Sequence, residues 1–251
     1  MPGLIRVGIG GWTFEPWRGV FYPKGLAQRR ELEFASRALT SIEINGTYYS
    51  TFKPTSWQSW RDETPDNFVF SVKASRYATN RKVLAEAGPS IERFLSQGLT
   101  ELGPKLGPIN WQFMATKKFE AEDFAAFLQL LPKAHDGIAL RHAVEVRHPS
   151  FNNAEFEKLC SKNGVAIVYA TGEGVPSIER KTAGFSYARL MTSQPDIENG
   201  LTATELSAVA KRGHTWSRGG DVFVYFTSGA KVRNPAAALA LIQILKKKPS
   251  A

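Results

Sequence analysis

The sequence predicts a single-domain TIM (β/α)8 barrel, with parallel strands inside a layer of helices. Three observations predict it. Short β-rich runs recur about every thirty residues. Helical patterns separate most of them. The chain has 251 residues, a size that suits this barrel. An open doubly wound sheet is the alternative that the same alternation permits.

The strands come in this order: "IRVGIGGW" (5–12), "SIEING" (41–46), "FVFSVKAS" (68–75), "PINWQF" (108–113), "HAVEVRH" (142–148), "VAIVYA" (165–170), "FSYARLM" (185–191) and "VFVYFTS" (222–228). Each is short and rich in β-branched or aromatic residues, as strands are. "GIGGWT" (8–13) lacks the third glycine of a dinucleotide fingerprint, and no helix opens after it. A tight turn after the first strand explains those glycines. Between the strands, "RRELEFASRAL" (29–39) places Leu32, Ala35 and Leu39 on one stripe. "AEDFAAFLQLLP" (121–132) does the same with Phe124, Phe127, Leu128 and Leu131. "NAEFEKLCSKNG" (153–164) stops at Gly164. "TATELSAVAKRG" (202–213) opens with Thr202 and Glu205 at capping-box spacing. "NPAAALALIQILKKK" (234–248) opens with Asn234 as N-cap and Pro235 in the first turn. "TGEGVPSIERKTAG", between strands six and seven, carries little helix signal.

Composition narrows the function classes. The net charge is +9, from 32 Lys and Arg against 23 Asp and Glu. That excess favours anionic partners: nucleic acid, phosphates or acidic metabolites. Part of it is peripheral, in the "KKKPSA" end (246–251), which is expected to be a flexible basic tail. Cys160 is the only cysteine, so no internal disulfide or multi-cysteine metal site is available. Its position on an apolar helical stripe makes it a packing residue. No signal-peptide pattern opens the chain, and no apolar run approaches the ~18 residues of a membrane span. The expectation is a soluble cytoplasmic protein that does not enter a membrane. The oligomeric state is left open.

Seven blocks then carry a resemblance: "GIGGWTFEPWRGVFYP" (8–23), "IEINGTYYS" (42–50), "WRDETPDNFVFSVKAS" (60–75), "LGPINWQF" (106–113), "AVEVRHPSF" (143–151), "SYARL" (186–190) and "VFVYF" (222–226). In this order they resemble the YecE-like family, domain of unknown function 72. The resemblance runs from about residue 5 to about residue 241 and implies a TIM barrel. It implies no established activity. Barrels of the same shape include metal-dependent endonucleases and sugar isomerases, a fold-level hint of nucleic-acid work. Two segments depart from the family pattern. "YFTSGAKVRN" stands where the family has an asparagine pair after the last strand. "WQFMATKKF" stands where a proline-bearing turn is usual.

Residues i and i+2 of a strand share a face. One face carries Ile42, Ile44, Val72, Val144, Val146, Ala188, Leu190, Val224 and Phe226, which suit the helix layer. The other carries Glu43 and Asn45, Ser71 and Lys73, Gln112, Glu145 and Arg147, Tyr187 and Arg189, and Tyr225 and Thr227. The polar face therefore looks into the barrel, near its C-terminal mouth. Charges there cost several kcal/mol each unless paired. Two carboxylates, Glu43 and Glu145, meet three cations, Lys73, Arg147 and Arg189, and one positive charge is left over. An anionic ligand would neutralise it. A self-satisfied network without chemistry is the bland reading of the same residues.

Two further groups join the candidate site. The loop "SGAKVRN" (228–234) offers Ser228, Gly229 and Lys231 to a phosphate, as loops after the last strands of such barrels do. Trp12 and Tyr48 follow strands one and two, and aromatics there can stack on a ligand. His148 is the one histidine at a strand end. With Glu43 and Glu145 it could hold an ion, but Lys73 and Arg147 oppose that, so the reading favours metal-free acid–base catalysis. Glu43, Glu145 and His148 are the catalytic candidates, and Asn45, Lys73, Arg147, Arg189, Tyr225, Trp12 and Tyr48 the substrate-binding ones. The expected function is a hydrolase-type enzyme acting on an anionic substrate, with phosphate or carboxylate as the charged group. The alternative is a non-catalytic binder of nucleic acid or a phosphorylated ligand. No cofactor is indicated.

Overall fold

Period-two alternation drives the architecture. Eight strands pair in parallel: β1 (Ile5–Gly10), β2 (Ser41–Ile44), β3 (Val69–Lys73), β4 (Leu106–Gln112), β5 (His142–Glu145), β6 (Ala166–Thr171), β7 (Phe185–Leu190) and β8 (Asp221–Phe226). Each lies beside its neighbours in sequence, and β8 closes on β1. The computed structural model describes residues 2–246. Past Lys246, the basic tail lies outside the described residues.

The outer layer holds α1 (Glu31–Ala38), α2 (Pro54–Glu63), α3 (Gly88–Leu95), α4 (Ala121–Gln129), α5 (Ala154–Asn163), α6 (Ala203–Ser217) and α7 (Asn234–Lys246). Among the described residues the β6–β7 crossover carries no helix, as its sequence suggests. The caps of α5 and α6 form as expected. Gly164 ends α5 at φ 64°, and Thr202 and Glu205 complete a reciprocal capping box. Asn234 departs from expectation. A 3-10 turn (Lys231–Arg233) leads straight into α7, so Asn234 is already helical. Its amide donates to the Ser228 carbonyl at 3.1 Å instead of capping.

Outward-facing residues such as Ile42, Ile44, Val144, Val146 and Val224 join one apolar cluster with the helices. Inside the barrel a second cluster forms by matching sizes. Ala143, Ala166 and Ala170 from β5 and β6 leave the space that Phe185, Tyr187, Phe223 and Tyr225 from β7 and β8 fill. This packing closes the lower barrel and leaves the polar residues at its C-terminal end. No helix among the described residues is long and apolar enough to cross a membrane.

Candidate functional site

Strand register stacks the inward polar groups into layers. Ser41, Ser71 and Tyr225 form the lower one. The Tyr225 hydroxyl lies 2.6 Å from both serine Oγ atoms, and Tyr225 is fully buried. Burial pushes its phenol up from the ordinary value, so it stays neutral. Tyr225 therefore props the site from below and does not open onto the mouth.

The next layer is the charged network. Arg189, at the end of β7, reaches across the barrel to both carboxylates. Its Nη1 donates to Glu145 Oε2 at 2.7 Å and its Nη2 to Glu43 Oε2 at 3.1 Å. Its Nε lies 3.1 Å from Glu43 Oε1, an ion-pair contact off the hydrogen-bond direction. Tyr187 donates to Glu43 Oε1 at 2.6 Å. Gln112 and Arg147 both donate to Glu145 Oε1, Gln112 at 2.6 Å and Arg147 Nη2 at 3.0 Å. One amide spans the pair: Asn110 Nδ2 donates to Glu145 at 3.1 Å and to Glu43 at 3.4 Å.

These contacts keep Glu145 and Arg189 charged. Burial would raise the Glu145 pKa, but the Arg189 and Arg147 guanidiniums outweigh it and hold the carboxyl at about 2. Burial alone would lower the Arg189 pKa. The two carboxylates overcome that and raise it. Glu43 and Glu145 are therefore acceptors whose oxygens are already occupied. Neither is placed as the acid–base pair that the sequence suggests.

Lys73 completes the site. It ends β3 and is 9% exposed. Among the described residues no carboxylate lies within 4.0 Å of its ammonium. The Nζ instead sits 4.3 Å above the Tyr48 ring. Burial lowers its pKa to about 8, and the nearby Arg189 charge adds to that effect. So the surplus cation expected from the sequence is Lys73. Arg147 lies beyond the end of β5, with 31% of its side chain exposed.

The remaining candidates fall elsewhere. His148 is not part of the network, because its Nδ1 is taken up by Ser150 in the turn that follows β5. His148 caps the 3-10 turn Pro149–Phe151, where its Nδ1 accepts from Ser150 N at 3.1 Å. Trp12, Asn45 and Lys231 line a cleft of about 330 Å³ at the rim, together with Gly10, Phe52 and Trp60. Trp12 packs edge-on against Trp60 at 5.2 Å. Gly10 lets the Asn45 amide approach: a Cβ there would sit 2.6 Å from Nδ2. Ser228 and Gly229 adopt left-handed backbone at φ 56° and 55°. The following N–H groups, of Ala230 and Lys231, are engaged by the carbonyls of Ser193 and Gly229. The Lys231 ammonium lies 4.1 Å over Phe14.

Asn110 is the site residue that the sequence reading missed. It shares the parity of Gln112, two residues on, and that spacing is the signal that points to it. Among the described residues no three His, Cys, Asp or Glu side chains converge as metal ligands.

The chain matches the model of the protein family of unknown function DUF72 over residues 6–251. It is similar to the YecE protein (UPF0759) of Escherichia coli K12, at 28% identity over 151 residues. That match covers 59% of this chain, and the chain spans about half (50%) of that relative's length. The fold is similar to that of a DUF72 family protein from Thermotoga maritima, with a TM-score of 0.80 at 23% identity, covering 97% of this chain and all of the other. A DUF72 family protein from Enterococcus faecalis gives a TM-score of 0.74 at 16% identity, covering 98% and 99% of the two chains. The chain belongs to the DUF72 family.

Proposed function

We propose that this protein is an enzyme acting on a small anionic, phosphate- or carboxylate-bearing substrate at the C-terminal mouth of the barrel. One observation carries the reading: two guanidiniums occupy both buried carboxylates, and the nearly buried Lys73 ammonium at the end of β3 has the Tyr48 ring against it and, among the described residues, no carboxylate within 4.0 Å. A desolvated cation without a counter-charge gains more from an anion than an exposed one does. Arg147 offers a second cation there. For a hydrolase-type reaction Lys73, lowered by burial to about 8, is a better base than Glu145, which the guanidiniums hold at about 2.

The test is thermal denaturation with inorganic phosphate in excess. A ligand that binds only the folded state raises stability by about 2.7 kcal/mol at a hundred times its Kd. We expect phosphate to raise the Tm of the wild type below pH 8, with the rise fading as Lys73 loses its proton. Lys73→Met removes most of the rise while keeping the fold. An equal rise in the variant sinks the reading.

The rim favours a second reading, nucleic-acid binding. Arg76 lies between the Tyr49 and Tyr77 rings, 5.6 and 5.4 Å away, and both tyrosines are more than 60% exposed. Beside them Arg81, Lys82 and Lys118 line a groove of about 430 Å³. Stacking rings beside cations suit a single strand. Fluorescence anisotropy with a single-stranded oligonucleotide should show binding that weakens steeply with salt and drops in Tyr77→Ala. Binding that ignores either change counts against it.

A further inference from the structure

Two features make an amine a nucleophile at neutral pH: desolvation and a neighbouring cation. Lys73 has both, being nearly buried with Arg189 close by. Charged groups face it from several elements: Glu43 from β2, Glu145 and Arg147 at the end of β5, and Arg189 from β7. Both carboxylates are engaged by arginine, so neither pins the ammonium. Tyr48 touches it only through its ring.

Other lysines show what pinning looks like. Lys105 is 6% exposed, but its Nζ donates to the Arg61 and Thr64 carbonyls at 2.6 and 2.7 Å. Its N–H groups are committed to those carbonyls, which favours the charged ammonium, and its role is to tie loops together. Lys117 is paired to Asp123 at 2.9 Å. Burial without partners sets Lys73 apart from both.

We propose that Lys73 captures the carbonyl carbon of an aldehyde or 2-oxo compound that carries an anionic group, forming an imine. The inference rests on the anionic-substrate reading and deepens it by naming the substrate class. Arg147 presents a second cation at the mouth to receive the anionic group. In the step itself, neutral Nζ attacks the carbonyl carbon and a C–N bond forms. The C=O π pair moves to oxygen, which takes a proton, while nitrogen releases one. The carbinolamine hydroxyl then takes a proton from solvent and leaves as water, and the nitrogen lone pair closes the C=N bond as a protonated imine. One water leaves in total, and no oxidant or reductant takes part. The anionic group that the substrate carries offsets the charge of the protonated imine.

The experiment uses pyridoxal 5′-phosphate, which joins an aldehyde to a phosphate, and pyridoxal, which lacks the phosphate. Each is incubated with the full chain near pH 7.5 and reduced with borohydride, and the products are mapped by mass spectrometry. A side-chain amine at about 8 holds far more free base there than an ordinary lysine. We therefore expect at least about tenfold more adduct on Lys73 than on Lys24 or Lys53. Labelling should rise with pH through about 8, opposite to the phosphate response. It should vanish in Lys73→Met and in Lys73→Arg, which keeps the charge. Adduct spread evenly over surface lysines overturns the proposal. If phosphate still raises Tm but Lys73 stays unlabelled, carbonyl capture falls and the anionic-substrate reading stands. Equal labelling of Lys73 by pyridoxal and by its phosphate supports capture and counts against the anion site.

Discussion

Arg189 is the residue on which the inner network turns, because it bonds Glu43 and Glu145 at once from a buried position. Removing one member of a buried ion pair costs about 3–5 kcal/mol, mostly because charge is left uncompensated. Arg189→Met leaves Glu145 with Arg147 but strands Glu43, whose other donors, Tyr187 and Asn110, are neutral. We expect the variant to lose about 3–5 kcal/mol in denaturant titration. Arg37→Met, which breaks a surface pair to Glu33 at 3.7 Å, should change stability by less than about 1 kcal/mol. Equal effects would mean that the inner network contributes no more than a surface pair. At this scale the sequence was partly legible. Parity along the strands marks Glu43, Lys73, Glu145, Arg147 and Arg189 as inward. Parity gives a face but not a depth, so it could not place Tyr225 below the charged layer. Nor could it say which of three cations would be left over. That His148 would cap a turn was not legible, because a strand end and a turn cap look alike in sequence.

The elements were more legible than the residues. All eight strands carry their β-rich signature, α1 and α4 show periodic apolar stripes, and α5, α6 and α7 carry start or stop residues. Two helices did not announce themselves. α2, "PTSWQSWRDE", buries only Trp57, so it has no stripe to read. α3, "GPSIERFL", is eight residues long and opens with Gly-Pro, a pair that marks turns as often as helix starts. Tertiary packing settles both: α2 rests its Trp57 and Trp60 against Phe52, and α3 buries Ile91, Phe94 and Leu95. The glycines of "GIGG" divide their work. Gly11 makes the turn at φ 73°. Gly8 lies in β1 itself, where a Cβ would come within 1.8 Å of the Ser41 carbonyl. Close strand approach, and not only turning, selects glycine there. The β5 strand is shorter than its sequence run because pairing stops at Glu145, and this lets Arg147 fold back to the same carboxylate.

The barrel as a whole encloses ionised groups where apolar side chains usually fill the interior. Its stability is therefore tied to pH through the ion pairs. Glu145 has its pKa lowered from the ordinary 4.5 to about 2 in the folded chain. A carboxyl with a depressed folded pKa contributes stability that is complete above the unfolded value and lost as pH falls through the folded one. The loss should thus run from about pH 4.5 down to about pH 2, and reach on the order of 3 kcal/mol from this group. Long-range repulsion acts in the same direction, because the chain starts at +9 and each carboxylate that takes a proton adds to the excess. Salt separates the two contributions. Repulsion between exposed charges is screened at high ionic strength, whereas a buried pair is screened much less. Urea titrations at a series of pH values, repeated at low and high salt, should show a decline below pH 4.5 that survives salt. A decline that salt abolishes would assign acid sensitivity to the surface and leave Glu145 without the stabilising role given to it here.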